Sequence, residues 1–237
     1  MRITSCENYQ EMSILAADLV QEEVLKKPGL LFCAATGSSP AGLYEEMGAR
    51  LRLRPGLFDG MRIIKLDEWG GVPAYHPVTC EHFIRKRLLE PLSIPEERYH
   101  SFHSDPEDPE LECRVIRSTL QEEGPIDLCI LGLGKNGHLG LNEPDTQLEP
   151  YCHVAQLSEL SLEHKMISSM EIKPSYGITL GMEEILAARK IIFLITGKGK
   201  KDVMQKLMEK EVHPELPASF LWEHPQVDCL MDLSSMD

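Results

Sequence analysis

The sequence predicts an α/β fold: a largely parallel sheet covered by helices on both faces. Three observations carry that expectation. Short apolar or β-branched runs alternate with longer segments of helical period along the 237 residues. Four of the short runs end in glycine-bearing turns, the kind of connection that leads from a strand into a helix or loop. No internal repeat, low-complexity tract or Pro/Ser-rich linker breaks the pattern, so one domain spanning residues 1–237 is expected.

In chain order, Glu7–Lys26 has helical period and the apolar run Leu30–Ala35 reads as a strand. Pro40–Leu53 follows as a helix, with Ser39 suited to the N-cap and Pro40 to the first helical position. Arg62–Leu66 is a strand and Thr79–Leu92 a helix. The acidic stretch Asp105–Glu112 reads as a loop running into a solvated helix, Pro109–Glu123. Asp127–Leu133, Gly177–Leu180, Lys190–Thr196 and Asp228–Leu233 complete the strands, and Gly199–Glu209 is the last helix.

The chain has 24 basic and 38 acidic side chains, a formal charge of −14 that repels phosphate backbones and anionic lipid. Nucleic acid and membrane surfaces are therefore not expected partners, whereas a few local donors can still hold a small anion. No segment approaches the roughly 18 apolar residues that a membrane span requires. The seven cysteines are odd in number and widely spaced, without a C-x-x-C pair, and read as reduced core residues. A cytoplasmic location is expected.

The strand ends carry the chemistry. In Thr36-Gly37-Ser38-Ser39-Pro40, a helix N-terminus with hydroxyls and free N–H groups suits an anion. An ordinary strand-to-helix turn uses the same residues and is the simpler reading of that stretch alone. Asp67-Glu68-Trp69-Gly70-Gly71 puts two carboxylates at a strand end, where one of them is a candidate general base; a loop cap and a solvated glutamate are the plain alternative. Gly197-Lys198-Gly199-Lys200-Lys201 places lysines in a first helical turn against the helix dipole, which a bound anion would explain and a solvated basic loop would also allow. Finally, LGLGKNGHLGLNEP at 131–144 brings Lys135, Asn136, Gly137 and His138 to the same edge, followed by Glu143. An amide and a carboxylate beside an imidazole can fix its tautomer, and imidazole titrates near neutral pH. Together these turns suggest proton-transfer chemistry on a phosphorylated small molecule.

In this order TGSSP, LDEW, GLGKNGHLGLNEP and TGKGK resemble the amino-sugar-6-phosphate deaminase/isomerase family over nearly the whole chain. The resemblance implies a modified Rossmann-type α/β/α sandwich and no metal or organic cofactor. It implies that Asp67 is the base that moves a proton from C2 to C1 of the opened sugar. His138 then opens the ring, with Glu143 supporting it. Thr36, Gly37, Ser38 and Ser39 match the phosphate loop and Lys200 a phosphate-binding lysine, while Glu68 and Gly137 fall among the substrate contacts. A homo-oligomer is implied on the same grounds.

Three departures separate this chain from the glucosamine-6-phosphate enzymes. Asn136 stands where they have Asp before Gly-His and joins the ring-opening group as an amide, without the charge that would stabilise imidazolium. Together with LDEW, TCE at 79–81, GITLG at 177–181 and PASFLW at 217–222, it resembles the galactosamine-6-phosphate branch, which forms tagatose 6-phosphate and ammonia. Residues 158–170 lack the arginine presented to the phosphate, leaving Lys165 or Lys198 as compensating cations. His153 and Ala155 occupy positions that are basic in enzymes activated by N-acetylglucosamine 6-phosphate, so no such activation is expected.

Two rival readings share the fold. The 6-phosphogluconolactonases have a G-x-G-x-D-G-H segment, but theirs continues as A-S-L-F-P rather than Leu-Asn-Glu-Pro. Sugar-phosphate sensor domains of regulators come with a basic helix-turn-helix, whereas this chain starts its core by about residue 30 and is acidic.

Overall fold

The computed structural model describes residues 1–74, 76–164, 166–168, 170–171 and 173–235. Strand β1 (Arg2–Cys6) leads into α1 (Tyr9–Lys26), whose N-terminus is capped by the Asn8 side chain accepting from the Glu11 N–H at 3.0 Å. β2 (Leu31–Ala34), α2 (Ser38–Leu53) and β3 (Arg62–Lys65) follow. The chain then bends into β4 (Asp67–Gly70). The helix expected over Thr79–Leu92 is continuous but not uniform: α3 (Cys80–Ile84) passes into a π-helical turn, Arg85–Leu89, and then α4 (Glu90–Leu92). β5 (Tyr99–His100), α5 (Pro109–Glu123) and β6 (Leu128–Gly132) come next, with Asp108 capping α5 through the Leu111 N–H at 3.0 Å. The remaining elements are β7 (His153–Ala155), α6 (Glu159–Leu162), β8 (Tyr176–Thr179), α7 (Met182–Leu186), β9 (Lys190–Ile195), α8 (Lys201–Met208) and β10 (Val227–Asp232).

Seven strands form the main sheet in the order β1-β10-β9-β6-β2-β3-β5, and every pair in it is parallel. The chain moves from β2 outward to β3 and β5, then returns to lay β6 on the other side of β2. That reversal opens a crevice at the carboxyl ends of β2 and β6, the place where open α/β sheets bind ligands. The expected fold class is therefore observed.

Gly177–Leu180 corrects one expectation. It forms β8 of a separate three-stranded antiparallel sheet, β4-β8-β7, and not a strand of the parallel sheet. Leu66 joins the two sheets: its N–H donates to Ala34 O at 3.1 Å in the main sheet, and its carbonyl accepts from Leu180 N at 3.0 Å in the small one. A second apolar cluster around Trp69, Val72, Leu141 and Ile167 packs with the small sheet, apart from the main core.

All seven cysteines are free and buried, as expected. Among the described residues no helix is long and apolar enough to cross a membrane. The most unusual burial is ionic. Lys65 and Glu68 side chains are both 0% exposed and meet at 2.7 Å. Lys65 also donates to Phe102 O at 2.8 Å and to Glu81 at 2.9 Å, and Glu81 accepts from the Tyr99 hydroxyl at 2.8 Å. Two ions out of water are tolerable only when every remaining donor and lone pair is used, and here they are. Lys65→Met, which strands the buried Glu68 charge, is expected to lower unfolding free energy by about 3–5 kcal/mol, read from the urea midpoint; a change under about 1 kcal/mol would show that the pair is not structural.

Candidate active site

The loops after β2, β3, β6 and β9 meet at the carboxyl edge of the sheet. After β2, Gly37 turns the chain with φ +97° and serves as the N-cap of α2, which begins at Ser38. This corrects the expectation of Ser39 as N-cap and Pro40 as first residue; a glycine free to adopt positive φ starts the helix earlier. No side chain caps this end. The N–H groups of the first turn are thereby left for a ligand. Tyr9 fixes the turn, its hydroxyl donating to Ser38 O at 2.6 Å and accepting from Gly42 N at 2.7 Å. Ser38 is exposed, while Ser39 is buried with its hydroxyl against Gly132 at the end of β6. Thr36 hydrogen-bonds to Cys80 Sγ at 3.3 Å.

Asp67 starts β4 directly after the Leu66 junction. Its carboxyl group is buried, and Oδ1 has no hydrogen-bond partner among the described residues. Burial, and next to it the Glu68 charge, push its pKa from 3.8 up to about 6, partly offset by nearby His138. A carboxylate with a vacant lone pair and a pKa near neutrality is suited to take a proton. Glu68 is different. Expected as a substrate contact or a solvated group, it is fully enclosed: Oε1 accepts from the N–H groups of Trp69 and Cys80, both at 2.8 Å, and Oε2 from Glu81 N at 2.8 Å and from Lys65. Both oxygens are used in tying β4 to the start of α3, so Glu68 has none left for a ligand.

The 131–144 turn delivers the imidazole. Asn136 Oδ1 accepts from His138 N at 3.2 Å, and its Nδ2 donates to Glu143 Oε2 at 2.7 Å. His138 Nδ1 stands 3.5 Å from the same Glu143 oxygen, an electrostatic contact longer than a hydrogen bond. The Ser161 hydroxyl, on α6, donates to the other Glu143 oxygen. Burial works to raise the Glu143 pKa, but His138 and the Ser161 and Asn136 hydrogen bonds prevail and hold it at about 2. Glu143 therefore remains an anion facing the imidazole. Asn142 anchors the turn, its amide donating to Leu139 O at 2.9 Å and Leu180 O at 2.8 Å. Gly137 packs on Leu216 and accepts from Ala218 N at 2.9 Å, so it shapes the turn from behind.

Gly134 sets where the ring lies. A Cβ there would fall 2.3 Å from His138 Cδ2, so the imidazole rests against a backbone that only glycine leaves open. After β9, the Thr196 hydroxyl donates to Asp232 at the end of β10 at 2.6 Å, and the Gly197 N–H to Ser235 beyond it at 2.8 Å. Lys200 stands at the N-cap of α8. Burial, then the neighbouring Lys135 charge, bring its pKa down to about 8. Lys198 is exposed on the same turn, and Lys165 lies outside the described residues.

The family described as glucosamine-6-phosphate isomerases/6-phosphogluconolactonase matches residues 15–230. The chain belongs to this family of enzymes. It is 38% identical to AgaI of Escherichia coli (strain K12), a protein named as a deaminase, over 95% of this chain and 90% of that one. It is 34% identical to the glucosamine-6-phosphate deaminase of Shouchella clausii (strain KSM-K16), over 98% and 95% of the two chains. Among solved structures, a monomeric glucosamine-6-phosphate deaminase of the NagB superfamily matches with a TM-score of 0.91 at 30% identity, covering 100% of each chain. The 6-phosphogluconolactonase from Trypanosoma brucei shares the fold, with a TM-score of 0.79 at 23% identity over 98% and 95% of the chains.

Within this family fold, two side chains at the site, Ser161 and His164, carry no signal in the sequence. Ser161 reaches Glu143 from a segment with no recognisable motif. His164 lies with its ring centroid 5.7 Å from that of Trp69, and its Nε2 is 3.6 Å from where a Cβ on Gly37 would be. It therefore covers the loop after β2. Lys135 was visible within the motif but without a partner to give it meaning. No group of three or more His, Cys, Asp or Glu side chains among the described residues is placed to hold a metal ion. Gly134→Ala is expected to swing His138 away and cut turnover by roughly 10- to 100-fold with little change in unfolding midpoint; unaltered turnover would show that the ring position is not critical.

Proposed function

We propose that this chain is a cofactor-independent amino-sugar-6-phosphate deaminase that converts galactosamine 6-phosphate and water to tagatose 6-phosphate and ammonia. The observation that carries the reading is the pairing of Asp67, a buried carboxyl group with an unpartnered oxygen and a pKa of about 6, with the His138–Glu143 dyad at the same sheet edge. Two carboxylates whose surroundings push their pKa values apart suit two roles, one moving a proton and one remaining charged.

In the proposed reaction the phosphate rests on the Gly37–Ser39 turn and Lys200. His138 opens the ring by carrying a proton between the ring oxygen and the anomeric hydroxyl, its imidazolium form stabilised by Glu143. Asp67 takes the C2 proton, the C1–C2 double bond forms, and O1 is protonated. Asp67 then returns the proton to C1, which leaves an iminium at C2. Water adds to C2, the C2–N bond breaks, and ammonia departs from the ketose 6-phosphate. The substrate's own amine and carbonyl supply the electron sink, so the proposal needs no cofactor. With Asn136 in place of an acid, the ring-opening group contains one carboxylate, Glu143, rather than two.

The preference for the galactose configuration is supported by Asn136 and the LDEW, TCE, GITLG and PASFLW segments. Glucosamine 6-phosphate is the second reading, favoured by the relatives named for that sugar. Ammonia release from the two sugars side by side decides between them: a clear preference for galactosamine 6-phosphate is expected, a preference for glucosamine 6-phosphate would keep the mechanism and reverse the substrate, and no ammonia from either would reject a deaminase. The pH dependence follows from Asp67, which accepts a proton only when ionised. kcat/KM is therefore expected to fall as pH drops through about 6. An acid limb near pH 4, the range of an ordinary carboxyl group, would remove Asp67 from the role of base.

A further inference from the structure

The order β9-β6-β2 sets three loops side by side at the carboxyl edge: Gly197–Lys200 after β9, the turn bearing Lys135 after β6, and Gly37–Ser39 after β2. Lys135 thus comes from the middle strand, between the uncapped N-terminus of α2 and Lys200. Its Cε lies 3.9 Å from where a Cβ on Gly199 would be, so the side chain extends across to the loop of Lys200. The two ammonium groups are close enough for Lys135 to disfavour the charge on Lys200. Neither lysine has an ion pair among the described residues, although the chain carries 38 acidic side chains. Placing two like charges together without an acid between them does nothing for the empty fold. A dianion between them removes the repulsion and gives each a charge-assisted partner.

We infer that Lys135 is a second phosphate-binding cation, gripping the 6-phosphate together with Lys200 and the first-turn N–H groups of α2. The inference rests on the proposed function for the identity of the substrate. A phosphate monoester approaches two negative charges at neutral pH, more than Lys200 alone balances. The arginine absent from residues 158–170 is thereby replaced from a different loop.

Lys135→Gln, compared with the unaltered enzyme, is expected to raise KM for the preferred amino-sugar 6-phosphate about tenfold or more, with kcat within about twofold. Inhibition by inorganic phosphate weakens by a similar factor, Lys135→Arg recovers most of the loss, and Lys206→Gln, which removes an exposed charge elsewhere on α8, changes neither constant. An unchanged KM and phosphate inhibition constant in Lys135→Gln would overturn the inference, as would a fall in kcat alone. If the unaltered enzyme releases ammonia from neither sugar, the proposed function fails and Lys135 is decided by direct titration with inorganic phosphate. Tenfold weaker binding to Lys135→Gln then supports the inference, whereas equal binding, or no binding to the unaltered chain, overturns it.

Discussion

The reversal of chain direction between β2 and β6 is the constraint on which the site depends. Parallel strands carry all their carboxyl ends to one edge, and the reversal parts the connections there, leaving a crevice between them. The turns after β2, β6 and β9 open into it from neighbouring strands. The fourth contributor, Asp67, arrives differently. Leu66 uses its N–H in the parallel sheet and its carbonyl in the antiparallel one, so the residue after it is delivered to the edge and held there by backbone bonds on both sides. Glu68 then binds β4 to the start of α3, and Lys65 neutralises it from within.

That arrangement explains how two carboxyl groups in one site acquire opposite character. Asp67 has lost water and gained a like charge at Glu68, with one oxygen left unsatisfied; its charged form is disfavoured. Glu143 is also partly desolvated, but it receives hydrogen bonds from Asn136 and Ser161 and faces His138, so its charged form is favoured. Burial acts in the same direction on both but is more complete at Asp67, where the Glu68 charge adds to it, whereas at Glu143 His138 and the hydrogen bonds from Ser161 and Asn136 outweigh it. Ser161 also joins the dyad to α6, so α6 and His138 share one carboxylate.

The parallel sheet was legible because fully buried strands read as apolar runs between turn signals, as Leu31–Ala34 and Ile191–Ile195 do. The small antiparallel sheet was not. Tyr176–Thr179 has the same short apolar character, and nothing local distinguishes a strand that pairs with Asp67–Gly70 from one that enters the main sheet. β1 was missed for want of apolar residues: RITSC is an edge strand with mostly exposed side chains. At the site, Asp67, His138, Asn136, Glu143 and the Gly37 turn are legible through the family resemblance of their motifs, while the Gly37 turn and Asp67 read alone leave plainer alternatives open. Glu68 misled, because adjacent carboxylates look equivalent in sequence and only the tertiary donors, Lys65 and three backbone N–H groups, show that one is enclosed. His164 and Ser161 reach the site through the fold of residues 158–164, which no spacing rule encodes.

The proposed reaction turns on movement of the C2 proton by Asp67. The most direct measurement is NMR observation of galactosamine 6-phosphate in deuterium oxide with the unaltered enzyme and with Asp67→Asn, following loss of the C2 proton and appearance of deuterium at C1 of the ketose. The amide keeps the shape of the carboxylate but cannot accept the proton. Both signals, present with the unaltered enzyme, are expected to disappear in the variant while the sugar phosphate still binds. Exchange and ketose formation by Asp67→Asn at a rate within about tenfold of the unaltered enzyme would contradict that role.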